Sequence, residues 1–160
     1  QLVTILAAQK RWAAAETEAD AALTLAEAEM RSRPGSLEAV QVAEAQARLL
    51  VEIGQGRVKD APTDAEGYIR LADSMKRRSE IANRIERHER LAALEMGIQK
   101  ATPNPPVALR LNYALALAEV GRRADALAHL EEVLTAEPNN SAAQEALQRL
   151  KSESTSETRP

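Results

Sequence analysis

The chain has 160 residues, enough for one domain or a short stack of repeats sharing a core. Apolar residues make up 44% and aromatics only 2%, so the core has little side-chain bulk and must fill by close approach of helices. The net charge of −3 argues against a dedicated nucleic-acid binder, and the absence of cysteine excludes disulfides and thiolate metal sites. No apolar run approaches the roughly 18 residues needed to cross a bilayer, so no membrane insertion is expected. No stretch alternates β-branched or aromatic residues with polar ones, and the fold class is read as all-α. Gln1 to Ala8 lacks the charged start and cleavage pattern of a signal peptide. Leu2 to Leu6 reads as mid-helix, so sequence upstream of Gln1 is expected.

Breakers divide the chain. Leu2 to Gln9 reads as the end of a helix, and Trp12 to Arg31 as a long one stopped by Pro34-Gly35. Ser36 is suited to cap the next helix, with Ala39 where a full capping box would hold Glu. That helix is expected to end at Ile53, with Gly54 as its left-handed terminus and Gly54 to Thr63 as a loop. Asp64 to Ala101 contains no proline and reads as one helix or two. A single helix of that length would span about 57 Å, so a break near Arg78 to Ile81, or near Arg87, is expected.

Thr102-Pro103-Asn104-Pro105-Pro106 closes that block. Val107 to Val120 is the next helix, Gly121 its turn, and Ala124 to Ala136 the partner helix. Pro138-Asn139-Asn140 stops the chain again, and Ser141 is placed as the cap of a last helix reaching Lys151. Residues 1–151 thus form the helical domain. The polar segment 152–160 has no apolar period and is expected to be disordered.

Residues 107–140 span 34 residues. Ala114 stands at the small position of the first helix, and Leu117 follows where a large residue is wanted. Gly121 makes the turn, Ala126 is the small contact of the second helix, and Leu130 and Val133 share its face. Pro138 ends the unit. This joint spacing resembles a tetratricopeptide repeat. Arg110 departs from the family's usual tryptophan and Tyr113 from a usual leucine. Elsewhere the match is partial. Tyr68, Leu71, Ala72 and Met75 reproduce the first-helix spacing, and Trp12, Ala15, Ala19 and Ala22 echo the second. Their terminating prolines, Pro103 and Pro34, come about seven residues late, close to two helical turns, which keeps the apolar face in register. Ala47, Leu50 and Gly54 match Ala114, Leu117 and Gly121, with no orthodox second helix after them. The resemblance implies antiparallel hairpins stacked as an α-solenoid, with the helix at 141–151 as its C-terminal cap.

Chemistry is sparse. His88 and His129 have no ligand spacing and read as surface or edge residues; His88-Glu89 lacks the second histidine of a zinc-protease motif. Gly54-Gln55-Gly56 lacks the rest of a phosphate loop, and the serines lie in caps, loops and the tail. No catalytic residue, metal site or cofactor is expected, and the chain is read as not an enzyme. Lys76, Arg77, Arg78, Arg84, Arg87 and Arg90 are interleaved with Glu80, Glu86 and Glu89. That run reads as a solvated helix laced with local salt bridges, with a partner-facing basic stripe as the rival. Aromatics for base stacking are missing, so nucleic acid is not expected as a partner.

In the family that the chain resembles, first helices line a concave groove. That resemblance implies a partner-binding face carrying Arg70, Asp73 and Arg77 on one unit, and Asn112 and Leu115 on the next. Asn112 sits where many repeats hold an asparagine that bonds a ligand's backbone; the plain alternative is a solvated asparagine. The two arginines would offer charge-assisted bonds to an acidic or phosphorylated segment. The carboxylate-clamp pattern is not reproduced. Function is accordingly read as a protein-interaction module of scaffold or assembly type, binding a protein or peptide. The alternative is a regulatory or substrate-positioning repeat domain of a larger enzyme whose catalytic part lies upstream. Self-association of the long alanine-rich helices is a third reading. The alanine-rich, lysine-poor style points to a bacterial source; cytoplasm and periplasm are not distinguished.

Overall fold

A computed structural model describes the backbone of residues 1–157 and the side chains of residues 1–152. Described residues form seven α-helices and no strand: α1 (Leu2–Ala8), α2 (Trp12–Ser32), α3 (Leu37–Asp60), α4 (Ala65–Ala101), α5 (Val107–Glu119), α6 (Arg123–Ala136) and α7 (Ser141–Glu157). Neighbouring helices pack, and the chain divides into two compact units, residues 1–85 and 86–160. The division falls within α4, each half of which contributes to the core of its own unit.

In the first unit, α2 and α3 meet through small residues. Ala15, Ala19 and Ala26 on α2 and Ala39, Ala43 and Ala47 on α3 are buried, with Leu23, Val40 and Leu50 filling the space between. Alanine at such positions brings two backbones close, which compensates for the missing aromatic bulk. Ser36 caps α3 as the sequence predicts: its Oγ accepts from the Ala39 N–H at 3.2 Å. The second unit is built on α5 and α6, joined by Gly121 at φ 82°, a left-handed conformation that glycine adopts without strain. Ala114, Leu117, Ala126, Leu130 and Val133 are all fully enclosed, and Ala143, Ala146 and Leu150 of α7 join the same core.

Several boundaries differ from the sequence reading. The expected loop at 54–63 is largely helix, since α3 runs on to Asp60. Gly54 and Gly56 are not turn glycines. A Cβ at Gly54 would lie 3.2 Å from Leu71 Cδ1, and one at Gly56 only 2.6 Å from Trp12 Cη2. Both are sites of close approach, and the indole lying over Gly56 donates from Nε1 to Asp60 Oδ2 at 3.0 Å.

The expected break in α4 is also absent. Gly67, Ser74, Ile81 and His88 are buried at seven-residue spacing, so a continuous stripe faces inward through the region where a break was placed. His88, read as a surface residue, is only 7% exposed. The basic run of α4 pairs across helices: Arg77 with Asp20 and Glu27, Arg78 with Glu44, and Arg90 with Glu119. At the other end, Asn140 rather than Ser141 caps α7, its Oδ1 accepting from the Ala143 N–H at 3.0 Å. The helix continues past Lys151 to Glu157, where disorder was expected from Ser152; residues 158–160 lie outside the described part.

Candidate functional site

The five residues put forward as a partner-binding face line two clefts, one in each unit. Arg70, Asp73 and Arg77 come together on the N-terminal half of α4, beside Glu16 and Asp20 of α2 and Leu50 of α3. Asn112 and Leu115 come together on α5, with Glu119 of the same helix and with Arg90 and Leu94 of α4.

The first cleft is dominated by paired charge. Arg77 presents its fork to Glu27, with Nε to Oε1 at 3.0 Å and Nη2 to Oε2 at 3.1 Å, while Nη1 reaches Asp20. These bonds hold the guanidinium above its ordinary pKa, Glu27 being the largest influence. Arg70 is bound one turn back along its helix by Glu66, Nε to Oε1 at 2.8 Å. Arg77 is therefore a clamp between α2 and α4 rather than an open donor, whereas Arg70 is bonded only through Nε and keeps its terminal N–H groups open, and Asp73 stays exposed.

Behind this cleft is a charged group that sequence reasoning did not single out. Glu16, only 4% exposed, accepts from Arg57 Nη1 at 2.5 Å through Oε2. Arg57 Nε also donates to Asp64 Oδ2 at 2.7 Å, and Asp64 Oδ1 accepts the Gly67 N–H at 3.0 Å. One guanidinium thus ties α2 and α3 to the start of α4. Asp64 first and Glu16 second raise the Arg57 pKa, and Arg57 in turn holds the Asp64 carboxyl below its usual range. No spacing rule finds this trio, because Glu16 and Arg57 lie on separate helices and Asp64 on the turn before α4. A capping aspartate at Asp64 was the only local signal.

The second cleft has an apolar floor and polar edges. Leu94 and Leu115 are half-buried, Asn112 is exposed, and Arg90 pairs with Glu119. That contact raises the Arg90 pKa, Glu119 being the first cause. The space is about 310 Å³, at the lower limit for small-molecule sites and suited to one or two inserted side chains. On the same helix, Tyr113 is buried and meets the His129 ring edge-on at 5.0 Å and 70°. Burial pushes the Tyr113 phenol up. Arg110 pairs with Glu132 of α6 at 3.2 Å.

Tyr68, Ala72 and Met75, which match first-helix spacing in sequence, point largely to solvent: Tyr68 is 49% and Met75 53% exposed. In contrast, Ala114 and Leu117, at the corresponding positions of α5, are fully enclosed. Among the described residues no cluster of histidine and carboxylate side chains could hold a metal, and no helix is long and apolar enough to cross a membrane. No family model, curated protein or solved structure matches the chain.

Proposed function

We propose that this chain is a tetratricopeptide-like repeat module, stacked as an α-solenoid, that binds a protein or peptide partner and carries no reaction of its own. The α5–α6 hairpin supports the repeat reading. Its small residues Ala114 and Ala126 are fully enclosed, and Gly121 turns the chain between the two helices. The observation that carries the binding reading is the cleft beside α5. Leu94 and Leu115 offer an apolar seat, Asn112 offers an amide able both to donate to and accept from a peptide backbone, and Arg90–Glu119 supplies a polar rim.

An interface of this kind concentrates its energy in a few central contacts, each costing more than about 1 kcal/mol when truncated. The test is affinity capture with the full chain and with Asn112→Ala, Leu115→Ala and an outer-face control, Glu145→Ala. A partner retained by the parent and the control, and weakened at least about fivefold by either cleft variant, is the expected result. Equal retention by all four proteins, with circular dichroism unchanged, would move binding away from α5.

A further inference from the structure

The N-terminal half of α4 carries a second stripe besides the buried one. Ala65, Tyr68, Ala72, Met75, Ser79 and Ala82 recur at alternating steps of three and four residues, the spacing of the seam of a coiled coil. Glu86 and Glu89 hold the next two positions and end it. All but the half-buried Ala82 are exposed, and Ile69, 59% exposed, borders them. Apolar side chains exposed singly are ordinary, whereas a contiguous row of them marks an interaction surface.

The order of sizes along the stripe decides what can cover it. Laid against a second copy of itself running the opposite way, with the two-fold axis between Ala72 and Met75, the stripe is self-complementary. Ala72 meets Met75 of the second copy, Ser79 meets its Tyr68, and Ala65 meets its Ala82, so each large side chain is set against a small one. A parallel pairing stacks Tyr68 on Tyr68 and Ala72 on Ala72, a crowded layer beside an underfilled one.

Charge agrees with the antiparallel order. Lys76 lies at the edge of the stripe, where its methylene stem can cover Ile69 of the second copy and its ammonium can reach Asp73 there. The two-fold repeats this pair. Lys76 and Asp73 are both exposed, and neither makes an ion pair among the described residues.

We infer that the chain forms an antiparallel dimer through residues 65–82 of α4, each seated on a second copy of the same stripe. The contact spans about 27 Å of helix at 1.5 Å per residue. That is short for a specific interface, so the dimer is weak and reversible.

The experiment is sedimentation equilibrium of the full chain from about 10 µM to about 1 mM, the range of a weak contact. The parent should pass from monomer to dimer. Ala72→Glu places a carboxylate in the central layer and should weaken the dimer at least about tenfold, with circular dichroism unchanged because Ala72 is exposed in the monomer. Lys76→Glu should weaken it about two- to fivefold, and adding Asp73→Lys should restore it. Orientation is read by disulfide crosslinking, since the chain has no cysteine of its own. Ala65→Cys mixed with Ala82→Cys should give a mixed dimer, whereas Ala65→Cys alone should not crosslink to itself. A monomer at every concentration would overturn the inference. So would a dimer as tight in Ala72→Glu as in the parent, or Ala65→Cys crosslinking to itself in place of the mixed dimer.

Discussion

Replacing Gly56 by alanine should destabilise the chain, although helix propensity alone predicts the opposite. Alanine is preferred over glycine inside a helix by about 1 kcal/mol, so an open helical glycine gains from the change. Gly56 is not open: the added carbon would lie 2.6 Å from Trp12 Cη2 and 2.7 Å from Cζ3. The indole must move, which puts at risk its bond to Asp60, worth about 0.5–1.5 kcal/mol, and strains packing by about 1–3 kcal/mol. Net of the propensity gain, the loss is about 1–3 kcal/mol, and at about 2–4 °C per kcal/mol the melting temperature should fall by several degrees. The assay is thermal and urea unfolding followed by far-UV circular dichroism, for Gly56→Ala alone and in a Trp12→Ala background. With the indole gone the same substitution should become neutral or stabilising. Gly54→Ala is the contrast, since only the movable Leu71 methyl lies within 3.2 Å. If Gly56→Ala raised the melting temperature equally with and without Trp12, the close-approach argument would be refuted.

Ala126→Leu should cost about 1–3 kcal/mol, because Ala126 has no exposed surface between α5 and α6; an unchanged melting temperature would contradict that packing. Arg57→Met should cost about 3–5 kcal/mol by leaving buried Glu16 uncompensated. Adding Glu16→Gln to it should recover part of the loss, as read by urea midpoints. Arg57 first, and the Gly67 N–H second, hold the Asp64 pKa below 3.8. Its contribution to stability is therefore complete above that pH and disappears as pH falls through the lower folded-state value. Asp64→Asn should melt below the parent at neutral pH, the gap closing in acid; a gap independent of pH would show that Asp64 acts by another route.

The pattern of success and failure in reading the sequence has a physical cause. Pro34-Gly35, the proline cluster at 102–106, Gly121 and Pro138 act through their own backbone, so the elements they separate were legible. Ala114, Leu117, Ala126, Leu130 and Val133 were likewise legible, because helical spacing alone puts them on facing sides of one hairpin. Gly54 and Gly56 were misread because glycine has two uses, and only the neighbour distinguishes them. Here the neighbours are Leu71 and Trp12, supplied by other helices. The continuity of α4 was missed for a related reason: its stripe includes Gly67, Ser74 and His88, residues that a search for apolar periodicity passes over.

The candidate sites show the same division. Spacing placed Arg70, Asp73 and Arg77 on one face of a helix, and Asn112 and Leu115 on one face of another, as found. It could not show that Glu27 and Asp20 occupy Arg77, or that Glu16 is enclosed behind it, since those pairings cross between helices. The acidic-segment expectation therefore loses Arg77, whose nitrogens are all engaged, but not Arg70, which is bonded only through Nε.

Amide hydrogen exchange on the chain with its captured partner tests the central claim, binding beside α5, most directly. Protection on binding should concentrate in 90–94 and 111–119, the segments that line the cleft, and should be lost with Asn112→Ala. Protection confined to the outer faces of α6 and α7, or no partner-dependent protection at all, would contradict it.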